Sequence, residues 1–333
     1  MRKLFTLVIL AAIAWGGYWF IGSSAVERGM KGWFAARQAD GWVAEFDRLD
    51  TIGFPNRFDT TITGLSLADP NTGVAWDVPE LEILALSYKP NHIIVELPPN
   101  QSFATPLQKI SIARDRLRGS VVFEPDTKLA VVRSAFEMEG VAIASSLGWK
   151  ARIEQGRFAT RQNEANPLAH DISFEATGLS PSEGLRAQLD PAGLLPHKLE
   201  VFKLDATAAF SEPWDRRAIE DARPQLTALK LGLMQAKWGD LDLRLAGAIT
   251  VDAGGLPSGE IVIKATNWRE MIAIAQASGA LPDAFVPLLT RALEMLSSFS
   301  GNPKTLDAPL TFSKGRMSLG PIPLGDAPRL VIR

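Results

Sequence analysis

The feature that most constrains this chain is an apolar run near its N-terminus, Leu4–Ile21, which follows Arg2 and Lys3. As an α-helix the run covers roughly 27 Å, which is close to the ~30 Å hydrocarbon core of a bilayer. A basic pair before such a segment favours a cytoplasmic N-terminus. The sequence therefore predicts a transmembrane helix over residues 1–23 in the inner membrane. The chain is expected to cross once, with the main domain in the periplasm.

A cleaved signal peptide is the competing interpretation of the same run. Its apolar region is usually only about 7–15 residues long and ends at a small-residue cleavage site. This run is longer and ends in bulky aromatic residues, Tyr18, Trp19 and Phe20, whereas Ser23 and Ala25 form only a weak cleavage site. An uncleaved signal anchor is therefore favoured, and processing stays open.

The composition of the chain is that of an ordinary folded protein. Among its 333 residues, 46% are hydrophobic and 22% are charged, and the formal net charge is −2. Because the charges are interspersed, no basic stripe indicates nucleic-acid binding. The chain has no cysteine, which excludes disulfides, thiolate catalysis and a lipoprotein anchor.

Residues 24–50 are predicted to form a juxtamembrane helical segment. A capping-box spacing at Ser24–Glu27 predicts a helix start, after a break at Gly22–Ser23. Apolar residues then recur at helical spacing to about Gln38. Beyond Asp40–Gly41, a second helical piece is predicted over residues 42–49.

From residue 51 the pattern is that of a β-rich periplasmic domain. Short β-branched and alternating segments are separated by turn residues at intervals that favour antiparallel pairing. The clearest alternation is Asp240–Val251, between repeats of the same period near Leu229–Leu233 and Ile261–Ile263. An amphipathic helical hairpin is predicted at about residues 267–300. The predicted fold class is mainly β (α+β), with an N-terminal transmembrane helix, a large curved antiparallel sheet and this hairpin.

No motif in the sequence predicts catalysis. The three histidines, His92, His170 and His197, have no metal-ligand spacing, and the chain carries no phosphate loop or dinucleotide fingerprint. The segment Gly64–Ala68 is one residue short of a nucleophile elbow. The sequence thus predicts a protein that is not an enzyme, with no catalytic, cofactor or metal site and no cofactor.

Alternating apolar strands and amphipathic helices are what the sequence offers instead. One interpretation is that these faces cover each other as an ordinary core. The other is that part of the sheet remains an open apolar groove for acyl chains. The candidate groove and helix-face residues are Leu241, Leu243, Leu245, Ile261, Ile263, Phe285, Leu289 and Leu293.

Several segments resemble an uncharacterised domain-of-unknown-function family of alphaproteobacterial envelope proteins. They are Gly53–Asp59, Leu65–Pro70, Tyr88–His92, the stretch beginning Trp238-Gly-Asp, Gly254–Gly259 and Asn267–Met271. More distantly, a single anchor followed by glycine-containing strands is similar to AsmA-like proteins, which implies a curved β-groove and a role in lipid movement or envelope homeostasis. This chain is much shorter than the bridge-forming members.

Together these features predict a non-enzymatic periplasmic protein, anchored in the inner membrane, that binds lipid or maintains the envelope. The alternative is an envelope interaction or scaffold module without a lipid ligand. The expected partners are the membrane and either lipid acyl chains or envelope proteins, with no nucleic acid.

Overall fold

The computed structural model describes residues 1–191, 193, 195–279, 281, 283, 286–298 and 302–332. The described chain is mainly β, with antiparallel pairing in a large sheet, one long N-terminal apolar helix and a few short helices. The predicted fold class is therefore confirmed. By contacts, the chain forms two compact units, of which the first comprises residues 1–125 and 136–148 and the second residues 126–135 and 149–333.

The first unit begins with helix α1, which runs from Arg2 to Ala39 without interruption. The predicted break at Gly22–Ser23 is wrong, because Gly22 serves close packing. A Cβ on Gly22 would lie 2.4 Å from the Phe58 ring, so only glycine lets the helix approach this closely. The helix ends where predicted, before Gly41, whose φ is +84°. Among the described helices, α1 is the one long and apolar enough to cross a membrane by length and composition.

The second predicted helical piece, at residues 42–49, is also wrong. Residues Val43–Glu45 and Arg48–Ile52 are strands β1 and β2. Both pair with the long strand β3, Arg57–Asp69. The tertiary pairing overrides the local helical spacing, because strand pairing buries Ala44 and Leu49 in a core with Phe34 of α1. That the residues up to 23 form a separate membrane domain stays a prediction.

The remaining strands of the first unit continue this antiparallel arrangement. They are β4 Val74–Leu86, β5 Lys89–Glu96, β6 Asn100–Ala104, β7 Lys109–Ala113, β8 Arg116–Phe123 and β9 Val131–Ser145. Of β9, the part from residue 136 onward belongs to this unit. Strand β4 pairs with β3, β5 and β6. The core of this unit lies between α1 and strands β1 to β4.

The second unit carries a continuous antiparallel meander. Its strands are β10 Lys150–Gln162, β11 Ala169–Leu179, β12 Leu199–Phe210, β13 Leu226–Trp238, β14 Leu241–Val251, β15 Pro257–Thr266, β16 Thr305–Ser313, β17 Arg316–Leu319 and β18 Ile322–Asp326. Each pairs with the next along the chain. Short helices α2 (Glu183–Leu189) and α3 (Arg217–Glu220) lie in the connections.

The predicted C-terminal helical hairpin is present as α4, Trp268–Ala277, and α5, Val286–Ser298. It does not begin with the predicted capping box. Asn267 has a φ of +58° and donates its side-chain amide to the carbonyl of Asp240 at 2.7 Å. The helix is fixed instead by Trp268, which is 1% exposed and packs with Leu293 and Leu306.

Candidate functional site

The candidate site lies on one face of the sheet in the second unit, where four of the sequence-predicted residues meet. Leu245 of β14 lies directly opposite Ile263 of β15. In the same pair of strands, Leu243 lies opposite Ala265, and Ile261 lies opposite Gly247. Directly opposed residues in antiparallel strands point to the same side of a sheet. The predicted alternation therefore brings Leu243, Leu245, Ile261 and Ile263 onto one face.

The same register extends this face across six strands. Starting from Leu245, each directly opposed neighbour is apolar, and we call this set the apolar row: Phe158, Phe174, Leu204, Met234, Leu245 and Ile263. Every member is half-buried. Neighbouring strands lie about 4.8 Å apart, so the row extends for roughly 24 Å.

Apolar and small residues flank the row on both sides. One flanking row is Gly156, Ala176, Phe202, Ala236, Leu243 and Ala265, and the other is Thr160, Ile172, Ala206, Leu231, Gly247 and Ile261. No residue in these three rows is ionisable. The rings of Phe174 and Phe202 are in contact, with centroids 5.9 Å apart. The three rows form one continuous apolar face.

The opposite face of the same strands is polar. Its corresponding row is Arg157, Glu175, Lys203, Gln235, Arg244 and Lys264. Lys203 pairs with Glu175 at 3.0 Å, and Arg244 pairs with Asp242 at 2.7 Å. This sheet thus has one solvated face and one apolar face, as many antiparallel sheets do.

Two buried clusters lie on either side of the apolar row along the strands. One contains Trp268, Leu293 and Leu306, with Leu243 and Leu289 packed against it. The other contains Ile249, Phe312 and Ala327, with Ile261 packed against it. The six side chains of the row belong to neither cluster as these described residues define them. Between these two clusters, the side chains of the row are half-buried.

The sequence-predicted site residues therefore separate into two groups. Leu245 and Ile263 belong to the apolar row, with Leu243 and Ile261 beside it. Leu241 is buried, and Leu289 and Leu293 pack in the helical cluster as ordinary core. Phe285 lies outside the described residues.

Four members of the row were not among the predicted residues: Phe158, Phe174, Leu204 and Met234. A signal for one of them, Leu204, was present in β12, where Phe202, Leu204, Ala206, Ala208 and Phe210 share one parity. Two of these five positions carry only alanine, and the resulting hydrophobic alternation is weak. Strand β12 was consequently not predicted at all.

A depression of about 500 Å³ is lined by residues of β10 to β13, including Arg161, Asp171 and Lys230. The Asp171 carboxylate accepts hydrogen bonds from Asn163 at 3.0 Å and Thr207 at 2.9 Å. These bonds lower the pKa of Asp171, the Asn163 bond first. Both bonds are accepted by Oδ1, and Oδ2 lies 3.4 Å from the guanidinium of Arg161, so the carboxylate links β11 to β10 and β12.

The histidines do not come together with other ligands. His92 shares a hydrogen bond with Ser120 at 2.8 Å, and His170 is buried with its ring edge-on to Phe210. Within the described residues, no group of three histidine, aspartate or glutamate side chains could hold a metal ion.

His170 provides a pH prediction for the second unit. Burial lowers the pKa of its imidazole, and the Asp171 carboxylate opposes this in part. The unfolded chain, with an ordinary histidine pKa of about 6.5, binds the proton more readily. The contribution of neutral His170 to the free energy of unfolding is therefore fully present above the pKa of the unfolded chain. It decreases as the pH falls below that value. Between about pH 7 and pH 5, the unfolding temperature of His170→Gln should fall less than that of the unmodified chain.

The matched control for this prediction is His197→Gln, because His197 is exposed. This variant should retain the full pH dependence of the unmodified chain. Equal pH dependence in the two variants would show that buried His170 contributes nothing to it.

Comparison with known proteins gives one match. A family described as an uncharacterized protein conserved in bacteria (DUF2125) matches residues 19–328. No curated protein matches the chain, and no solved structure matches it. The distant similarity to AsmA-like proteins stays a prediction.

Proposed function

The chain belongs to this DUF2125 family of bacterial proteins, and we propose that this member is a non-enzymatic lipid-binding protein of the cell envelope. It is anchored in the inner membrane by α1, with its N-terminus cytoplasmic and its β-rich part periplasmic. The apolar row and its flanking rows receive one acyl chain. Binding there serves envelope maintenance.

The observation that carries this proposal is the half-buried apolar row between the two buried clusters. Apolar surface gains about 25 cal/mol for each Å² removed from water. An acyl chain laid across the strands would cover the part of these half-buried side chains that is still accessible. One leaflet contributes about half of the ~30 Å hydrocarbon core, so the row, which spans roughly 24 Å, is long enough to hold one acyl chain.

A hydrocarbon suits this face as a ligand because the face has no charge. Eighteen residues in three rows include no ionisable side chain. A site for a polar substrate needs polar groups that fix its orientation. Thr160 is the one hydroxyl in the three rows, and its Oγ1 lies 2.9 Å from the hydroxyl of Ser134. The chemistry of the face therefore supports binding without catalysis.

Contacts of α1 support an anchor that is retained after export. The indole of Trp15 donates to the carbonyl of Pro55 at 3.0 Å, and that of Trp19 donates to the carbonyl of Arg57 at 2.6 Å. The hydroxyl of Tyr18 donates to the carbonyl of Ser87 at 2.5 Å. Cleavage near Ser23–Ala25 would remove all three donors from the folded unit. Arg2 and Lys3 support the cytoplasmic N-terminus.

The test is the lipid content of the full-length chain purified in detergent. After washing until the lipid content is constant, native mass spectrometry should find one lipid per chain, released by organic solvent. A chain that folds and carries no lipid, in preparations that had contact with native membranes, would contradict the proposal. If a protein instead copurifies at constant ratio with a lipid-free chain, the scaffold alternative is favoured.

A further inference from the structure

A second membrane contact is visible in the first unit, beside the N-terminal helix. The connection between β2 and β3 and the turn between β4 and β5 lie along α1 near Trp15 and Phe20. The ring of Phe54 stacks on Phe20 with centroids 5.7 Å apart. A Cβ on Gly16 would lie 3.7 Å from the Phe54 ring. This fixes the height of the connection along the helix axis.

The height matters because of the length that a bilayer requires. A spanning helix needs about 20 residues, which from Leu4 extends to about Ser23. Gly16 lies seven residues before that point, or roughly 10 Å inside it. If the boundary lay at Gly16 instead, the apolar span would be only about 18 Å. Helix tilt makes the required length greater.

The side chains at this height are apolar and exposed. Ile52 is 65% exposed, Phe54 57% and Tyr88 62%, and Leu86 is exposed beside them. Phe20 and Ile21 of the helix are also exposed. We call Ile52, Phe54, Leu86 and Tyr88 the apolar tip. Contiguous exposed apolar side chains mark an interaction surface, and this one is continuous with the apolar helix itself.

The backbone of the tip is suited to a medium without water. In hydrocarbon, each unsatisfied backbone group costs several kcal/mol. The carbonyls of Pro55, Arg57 and Ser87 accept the bonds from the aromatic side chains of α1. Their own connections add bonds from Arg57 N to Gly53 O at 2.9 Å and from Ser87 N to Asn56 O at 2.8 Å. Indole and phenol groups, which favour the membrane interface, thus satisfy three backbone carbonyls beside the tip.

We infer that the apolar tip inserts into the acyl region of the leaflet from which α1 emerges, as a second membrane contact of the chain. This inference rests on the proposed anchoring by α1. The tip and the spanning part of α1 lie at the same height along the helix axis. The partner that covers the tip is therefore the bilayer. Exposed Lys89 and Arg57, next to the tip in sequence, are then near the headgroups, where long basic side chains are favourable.

The test uses the absence of native cysteine. Single variants Ile52→Cys and Tyr88→Cys of the full chain carry an environment-sensitive fluorophore. They are reconstituted in phosphatidylcholine–phosphatidylglycerol vesicles. Some of the lipids carry a spin label on the acyl chain, close to the headgroup. Asn71→Cys is the matched control, since it lies beyond the far end of β3, about 40 Å along the strand. Leu10→Cys reports the anchor itself.

Labels at Ile52 and Tyr88 should be quenched by the lipid spin label several-fold more than the label at Asn71. If Leu10→Cys is quenched and the two tip labels behave like Asn71, the inference is overturned while the anchor stands. If Leu10→Cys is not quenched either, the membrane anchor fails and the inference fails with it.

Discussion

Replacing Ile263 with asparagine should weaken lipid binding by roughly tenfold to a hundredfold. Ile263 lies in the apolar row, opposite Leu245. Burying a side chain of this size contributes about 1.5–3 kcal/mol, and each 1.4 kcal/mol is a factor of ten in affinity. A polar amide in this position would lie between Leu245 and Ala308, whose side chains cannot hydrogen-bond to it, so it also resists covering by a hydrocarbon. The measurement is titration of the delipidated full-length variant with a fluorescent fatty acid.

The matched control is Val262→Asn, one residue earlier on the same strand. Val262 is 40% exposed and points to the polar face. It should bind the fatty acid like the unmodified chain. Leu245→Gln provides a second test, in case Ile263→Asn lowers the unfolding temperature strongly. Equal affinity in Ile263→Asn, Leu245→Gln and Val262→Asn would contradict the assignment of the apolar face as the site.

The largest stability effect is expected at Trp268. This side chain is 1% exposed, joins α4 to the cluster with Leu293 and Leu306, and donates its indole N–H to the carbonyl of Pro303 at 3.2 Å. Replacing a buried tryptophan by alanine typically costs about 3–5 kcal/mol. Trp268→Ala should therefore unfold at clearly lower denaturant concentration. Tryptophan fluorescence and circular dichroism measure the transition.

Glu270→Ala is the comparison on the same helix. Glu270 is exposed in the first turn of α4, where a carboxylate contributes about 1 kcal/mol or less. Trp268→Phe should fall between the two, because it keeps most of the apolar volume and loses the indole bond. A loss in Trp268→Ala no larger than that in Glu270→Ala would show that the helical hairpin is not fixed by this cluster.

The parts of the fold that were predictable are those in which the local pattern and the tertiary contacts agree. The strand Leu241–Val251 alternates cleanly because one of its faces is polar, and its parity places Leu243 and Leu245 on the same side of the strand. The apolar helix at the N-terminus was equally clear. Both signals are carried by large side chains within a single element.

The errors arose where a distant contact determines the local structure. The sequence predicts a helix break at Gly22, but this glycine faces the Phe58 ring and α1 continues through it. Residues 42–49 have helical spacing, yet Val43–Glu45 and Arg48–Ile52 are strands that pair with β3. The extent of the apolar row was also not predictable, because its register depends on pairing among six strands and on an irregularity in β13 between Leu231 and Met234.

The separation of core from candidate site needed the structure as well. Leu293 and Leu245 are the same residue type in similar amphipathic patterns, yet Leu293 is 3% exposed beside Trp268 and Leu245 is half-buried between the clusters. Periodicity shows which side of an element is apolar. It does not show whether another element covers that side.

Lipid binding by the sheet is tested most directly by photo-crosslinking of the full-length chain in native-like vesicles. The crosslinker is a phospholipid that carries a diazirine in its acyl chain. After digestion, mass spectrometry should locate adducts on peptides that contain Phe174, Leu204, Met234, Leu245 and Ile263, in addition to those on the apolar helix and tip. Adducts that are confined to the N-terminal helix and tip, with none on β11 to β15, would contradict lipid binding by the sheet.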